Sequence, residues 1–269
     1  MTIWIALLLG VVQGLCEFLP VSSSGHLLLL SKLFGVEEGG AFFTVMLHLA
    51  TLVAVCIVYR KTLWELLKKP IQKLTGMLIL ATVPTVIFAL LLKKVAGGFY
   101  ADMQDGSYLG VAFLLTSVLL LICDALMAKG AEGRRDLSQI KVKDALIIGG
   151  MQCIGVFPGV SRSGSTITSA VSSGLDRKAA ADFSFLMSIP AILGGLVLEA
   201  WDAKDAILAG NLGVPIPALL VGMLAAGLTG YFAVRFMIRL ITKRKLWGFA
   251  IYTALLGAAV IVLQLIGKV

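Results

Sequence analysis

The sequence predicts an all-α integral membrane protein built as an inverted repeat, each half a re-entrant helical hairpin followed by three transmembrane helices. Three observations lead there. Hydrophobic residues make up 59% of the chain and charged residues 14%, against about 25% charged in a soluble domain. With a mean hydropathy of +0.98, the solvent has to be largely lipid. Two apolar stretches are broken in the middle by small polar residues, and those two stretches match each other.

The first broken stretch covers residues 2–34 and is interrupted by Pro20-Val21-Ser22-Ser23-Ser24-Gly25. Each arm is too short to cross a bilayer, so the stretch reads as helix, loop and helix. Its start lacks the basic region and small-residue cleavage site of a secretory signal and carries Gln13 and Glu17. It is therefore expected to stay in the mature chain. Three apolar runs long enough to cross follow at 42–59, 76–92 and 108–128. The second broken stretch, 144–173, is interrupted by Pro158-Gly159-Val160-Ser161-Arg162-Ser163-Gly164, and three further runs occupy 183–200, 214–234 and 247–266.

A shift of 139 positions lays Gly10, Gln13, Phe18, Ser22, Ser24 and Gly25 onto Gly149, Gln152, Phe157, Ser161, Ser163 and Gly164. A weaker echo puts Phe43-Thr44 onto Phe183-Ser184. The repeats are then 1–135 and 136–269, packed as one structural domain. A re-entrant hairpin makes no net crossing, whereas three spans carry the chain to the opposite face. The halves are therefore inverted, and their loops approach the midplane from opposite sides.

Basic residues assign the faces. Seventeen of the 23 fall on one side: Arg60, Lys61, Lys68, Lys69, Lys73, Lys129, Arg134, Arg135, Lys141, Lys143, Arg177, Lys178, Arg235, Arg239, Lys243, Arg244 and Lys245. The other side has Lys32, Lys93, Lys94, Lys204 and Lys268 beside Glu37, Glu38, Asp102, Asp105, Asp202 and Asp205. Both termini are then extracytoplasmic. The net charge of +8 is a topology signal, helped by anionic lipid, rather than a nucleic-acid footprint. Cys16, Cys56, Cys123 and Cys153 have no metal-type spacing and read as small hydrophobes.

Arg162, alone in the second loop, and Glu17 are charges at membrane depth, each costing about 2.5 to 3.5 kcal/mol at the centre unless compensated. Gln13 and Glu17, four apart, share one face of the first short helix. His26 opens the second arm, where it is expected to face Glu17. His48, alone on a span, reads as a packing residue. Ser22, Ser23 and Ser24 suit a helix cap. Both loops run into helix N-termini, where amides and the dipole favour an anion. Ser161, Ser163, Ser165 and Thr166 add hydroxyls, and Arg162 adds a planar fork matched to phosphate oxygens. The pattern points to the phosphate of a lipid. There is no Walker GxxxxGK[ST], no aspartate-rich metal motif and no Cys ahead of the arginine loop. The PAP2 class of lipid phosphatases requires a histidine where Thr168 stands.

QGLCEFLPVSSSGH at 13–26 and PGVSRSGST at 158–166 resemble the signature motifs of the bacterial undecaprenyl-diphosphate phosphatases, also called bacitracin-resistance proteins. The resemblance runs over essentially the whole chain, including Gln152 and the Phe183-Ser184-Phe185-Leu186 run. It implies removal of the terminal phosphate of undecaprenyl diphosphate in the bacterial cell membrane, aided by a divalent cation (Mg or Ca), to regenerate the lipid carrier for cell-wall polymers. It makes Glu17, His26 and Arg162 the leading groups, supported by Ser23, Ser161 and Thr166. Glu17 would hold the metal or act as base, and Arg162 would neutralise developing charge. Gln13, Ser22, Ser24, Ser161, Ser163, Ser165, Thr166 and Gln152 are expected to bind substrate. Gln13 stands where the family has Glu or Gln, which removes one carboxylate. The nucleophile is Ser23, His26 or a water activated by Glu17, with Ser23 favoured because it lies three residues before His26. The competing class is a lipid-phosphate flippase or transporter, for which an inverted repeat with broken helices is equally suited. These patterns leave open whether the chain forms a homodimer.

The charge asymmetry carries a topological expectation. Tags at either terminus should be reachable from outside intact cells, and a cysteine introduced between Lys68 and Lys73 should be protected from impermeant thiol reagents. Labelling of that loop in intact cells would reverse the orientation.

Overall fold

A computed structural model describes residues 1–36, 40–128, 135–202, 204, 213–243 and 246–269. Glu37, Glu38, Lys129, Arg134, Asp205, Arg244 and Lys245 of the charge pattern lie outside the described residues. Among the described residues there are helices and no strands. The first broken stretch is α1 (Ile3–Phe18) and α2 (Ser23–Phe34), and the second is α8 (Val142–Cys153) and α9 (Arg162–Ser172). Between and after them run α3 (Gly40–Val58), α4 (Arg60–Lys68), α5 (Lys73–Val95), α6 (Gly97–Gln104), α7 (Leu109–Ala128), α10 (Arg177–Asp202), α11 (Ile216–Lys243) and α12 (Trp247–Leu265).

By length and composition α5, α7, α10, α11 and α12 can each cross a membrane, and α3 qualifies together with α4, from which it is bent by 80°. Large apolar side chains such as Ile79, Val118, Leu220 and Leu255 face outward, as a lipid-facing belt requires and a water-facing surface does not. Two short helices, α4 and α6, are absent from the hydropathy reading. Helix α10 starts earlier than its apolar run because the Ala179 amide donates to Asp176 Oδ1 at 2.7 Å, a side-chain cap that begins the helix ahead of the hydrocarbon.

The broken helices nest against full-length ones through backbone contact. Helix α1 packs on α11, and α8 packs on α5. A Cβ added at Gly10 would stand 2.2 Å from the Gly222 carbonyl oxygen, and one at Gly149 would stand 2.3 Å from that of Ala81. The two contacts are alike, and small residues let membrane helices approach this closely. Helices α7 and α12 also meet directly, at Gly110 and Gly257.

Polar ties close the two ends of the bundle. At one end Lys73 Nζ donates to the Ser138 carbonyl at 2.8 Å, and Arg135 grips Asp144 through two nitrogens at 2.5 and 3.0 Å. There the Leu246 amide also donates to Asp124 Oδ1 at 2.7 Å. At the other end Lys32 pairs with Asp105 at 3.7 Å, and Gln264 Nε2 donates to the Gly106 carbonyl at 2.8 Å.

Gly10→Ala and Gly149→Ala should each cost about 1–3 kcal/mol by overpacking, read as a lowered melting temperature in detergent. Gly76→Ala is the control, since nothing lies within 4 Å of an added Cβ there. Equal melting temperatures for Gly10→Ala and wild type would contradict the close crossing.

Candidate active site

The last turn of α1 carries Gln13 and Glu17 on one face. Gln13 Nε2 donates to Glu17 Oε2 at 2.9 Å. The chain then turns through Pro20 to Ser22, the one described non-glycine residue with positive φ, at 69°. That conformation costs energy for a residue with a side chain, and here it turns Ser22 Oγ toward two amides. It accepts from Gly25 N at 3.3 Å, capping α2, and from Gly159 N of the second loop at 3.1 Å. Ser23 follows at the start of α2 and donates from Oγ to Glu17 Oε2 at 2.6 Å.

The second loop repeats this plan. Ser161 Oγ accepts from Gly164 N at 3.0 Å and caps α9, as Ser22 caps α2. Gly159, at φ 96°, lies against the first loop, where a Cβ on Gly25 would meet its Cα at 2.7 Å. Thr116 of α7 holds the loop by donating to the Gly159 carbonyl at 2.9 Å and accepting from Ser161 N at 2.9 Å. Arg162 begins α9 and crosses to the other half, with Nη2 on Glu17 Oε1 and Nη1 donating to the Ser188 carbonyl at 3.4 Å. Glu17 is almost fully covered, its side chain 3% exposed, while the Arg162 side chain keeps 20%.

A cavity of about 240 Å³ lies between the loops. Glu17, Ser22, Ser23, Ser24, Gln152, Ser161 and Arg162 line it, so most of the expected groups converge. Gln13, Ser163, Ser165 and Thr166 are not on its wall. Ser165 and Thr166 hydroxyls each donate back to the Arg162 carbonyl at 2.9 Å, and Thr166 Oγ1 lies 2.6 Å from Ser184 Oγ. Ser163 Oγ donates to the Leu19 carbonyl at 3.3 Å. These hydroxyls shape the turn under Arg162 rather than face the cavity.

Two histidines exchange the places expected of them. His26 does not face Glu17: Nδ1 lies 2.7 Å from the Ser22 carbonyl and Nε2 lies 2.7 Å from the Tyr252 hydroxyl. Its ring stacks on Tyr252 and meets the edge of Phe113. One turn into α2 it points toward α7 and α12, away from α1, and Tyr252 is invisible as a neighbour in the sequence. His48, read as packing, lines the cavity, with Nε2 3.6 Å from Glu17 Oε2 and Nδ1 2.9 Å from the Thr44 carbonyl. A signal existed for it. Thr44, His48 and Thr51 form a polar stripe at helical spacing on an otherwise apolar run, and α3 packs against α1 and α10 so that the stripe faces inward. Thr85, on α5, is a further unexpected group, accepting from Gln152 Nε2 at 3.0 Å.

The donor set bears on metal binding. Among the described residues no three His, Cys, Asp or Glu side chains converge. Among the described residues Glu17 is the one carboxylate lining the cavity, and Gln152 Oε1, on the same wall, is buried without a partner. Hard oxygen donors of this number fit a magnesium- or calcium-type ion that takes its remaining ligands from substrate phosphates and water.

The comparisons with known proteins give the family. Residues 6–259 match the family model described as bacitracin resistance protein BacA. The chain belongs to the BacA family. It is 42% identical over 265 residues to the undecaprenyl-diphosphatase of Carboxydothermus hydrogenoformans, covering 98% of both chains. It is 42% identical over 260 residues to undecaprenyl-diphosphatase 4 of Bacillus thuringiensis subsp. konkukian, covering 96% of both. With the undecaprenyl-diphosphatase of Treponema denticola it shares 39% over 271 residues, again 96% of both chains. Membership of the BacA family thus covers both loops and every cavity residue named above.

The buried pair predicts a thermodynamic coupling. Removing one partner leaves the other charge buried and uncompensated, so Arg162→Met and Glu17→Gln should each lower the melting temperature in detergent. The double variant should lose less than the two single losses added together. Strict additivity would mean that the two groups do not depend on each other.

Proposed function

We propose that this protein is a membrane-embedded phosphatase that hydrolyses undecaprenyl diphosphate to undecaprenyl phosphate and inorganic phosphate, recycling the carrier lipid for cell-wall polymers. The observation that carries the reading is the Arg162–Glu17 contact within a serine-lined cavity. A guanidinium held by one carboxylate and one long contact to a backbone carbonyl, beside two helix N-termini, is a phosphate site awaiting exchange of partners. The names of its relatives supply the substrate.

In this reading the diphosphate enters between the loops and takes Arg162 from Glu17. Arg162 and the first-turn amides of α2 and α9 hold the oxygens of the terminal phosphoryl group, where charge develops. Ser23 Oγ then attacks the terminal phosphorus. As the new O–P bond forms, the bond from that phosphorus to the bridging oxygen breaks and undecaprenyl phosphate leaves. Glu17, already accepting from Ser23 at 2.6 Å, takes the hydroxyl proton. Water then attacks the phosphoserine, its O–P bond breaks, phosphate departs and Ser23 regains a proton. A divalent cation held by Glu17 and the diphosphate oxygens would add charge neutralisation. His48 steadies Glu17 from the far side, and His26 positions the first loop through Ser22 and Tyr252.

Residues 1–135 and 136–269 are read as inverted repeats, with α3, α5, α7, α10, α11 and α12 as six crossings. The paired caps at Ser22 and Ser161 and the paired crossings at Gly10 and Gly149 support this. Basic groups such as Lys73, Arg135 and Lys178 share one end of the bundle, which is read as cytoplasmic and leaves both termini outside.

Purified protein supplied with undecaprenyl diphosphate in detergent should release phosphate. Arg162→Ala should lower the rate by about a hundredfold or more, and Arg162→Lys should restore little because the paired geometry is lost. Ser23→Ala should abolish turnover, whereas Ser22→Ala and Ser24→Ala should cost about tenfold. An Arg162→Ala protein with near wild-type turnover would remove the anion site. A Ser23→Ala protein retaining a substantial rate would transfer attack to water. Lipid movement without phosphate release would favour the transporter reading.

A further inference from the structure

Helix α4 has an apolar face wider than the protein covers. At about 100° per residue, Leu66, Leu63, Leu67 and Trp64 form one continuous arc of about 160°. Leu63 and Leu66 pack on the core, while Trp64 and Leu67 remain 60% and 72% exposed. Ile71, past the helix end and Pro70, is 100% exposed. The opposite face carries Lys61, Glu65 and Lys68, with Arg60 and Lys69 at the ends. The helix leaves α3 at 80°, so if α3 crosses the membrane, α4 lies nearly flat along the surface where α3 emerges. Lys68 reaches back over the Trp64 ring, its Nζ 5.3 Å from the centroid, an arrangement that places an amphipathic aromatic and a cation at one depth.

We propose that α4 is an interfacial anchor that seats its free apolar edge in the bilayer and binds the headgroups of anionic phospholipid through Lys61, Lys68 and Lys69. The orientation of the arc and the charge on its flank select this partner. A flat amphipathic helix with Trp and Leu on one edge and lysines beside them matches a lipid surface, and four basic groups against Glu65 make that surface an anionic one. Lys73, just beyond, is committed to the Ser138 carbonyl and is not counted. This anchor holds the emerging end of α3, the helix that carries His48 to the cavity. The inference uses only the crossing by α3 and is independent of the reaction assigned above.

The test uses the full chain with Trp4, Trp201 and Trp247 replaced by Phe, so that Trp64 reports alone, in bilayers of phosphatidylcholine and phosphatidylglycerol. The melting temperature serves as the control for folding, and phosphate release is measured beside it. Brominated phosphatidylglycerol should quench Trp64 at a lower mole fraction than brominated phosphatidylcholine. That preference should fall about fivefold for each of Lys61→Gln, Lys68→Gln and Lys69→Gln, and molar salt should erase it. Equal quenching by the two lipids would overturn the headgroup site. Quenching by aqueous iodide with none from either lipid would overturn the anchor and mark the edge as a surface for a soluble partner. Loss of phosphate release with lipid quenching intact would count against the assigned reaction and not against the anchor.

Discussion

Glu17 and Arg162 meet in the interior of the bundle, where neither charge is tolerated alone. A charge at the bilayer centre costs about 2.5 to 3.5 kcal/mol, and each residue here removes much of that cost for the other. The carboxylate is on the first half of the chain and the guanidinium on the second, so the compensation exists only when the halves are assembled. The loops that bring the two charges together interrupt their helices, which opens backbone groups that the interior has to satisfy. Ser22, Thr116 and Ser161 accept from or donate to those groups. The hydroxyl-rich composition of the loops is therefore a structural consequence of the ion pair as much as a chemical provision for phosphate.

The broken helices bury too little of their own surface to stand alone, and glycine lets them lean on complete ones. Gly10 and Gly149 bring α1 and α8 into backbone contact with α11 and α5. Gly25 and Gly159 do the same for the two loops. Strain at Ser22 is kept because its single hydroxyl serves both loops at once.

Partner exchange at Arg162 connects this architecture to turnover. In the assembled protein the guanidinium neutralises Glu17, and a bound diphosphate competes for it with more charge and more acceptor oxygens. In the proposed mechanism, release of Glu17 coincides with arrival of substrate, so the proton acceptor for Ser23 is freed only when there is phosphorus to attack. The same exchange limits damage to the empty site, because no unpaired charge faces lipid.

The sequence by itself determined the class, the helical runs, the two broken stretches and the loops that would meet, because membrane insertion is governed by local hydropathy and a charge at depth is conspicuous in an apolar chain. It also carried Glu17, Ser23 and Arg162, whose spacing is local to each motif. What it could not carry was direction. His26 and His48 are equally solitary in the sequence, and their roles were separated by Tyr252, which holds one ring away from the cavity, and by the packing of α3, which turns the other toward Glu17. Ser165 and Thr166 likewise looked like phosphate donors, yet in the helix their hydroxyls fold back onto the Arg162 carbonyl. Which way each histidine points depends on which neighbour covers that face of its helix, and for His26 that neighbour lies 226 positions away, so only the tertiary structure decided it.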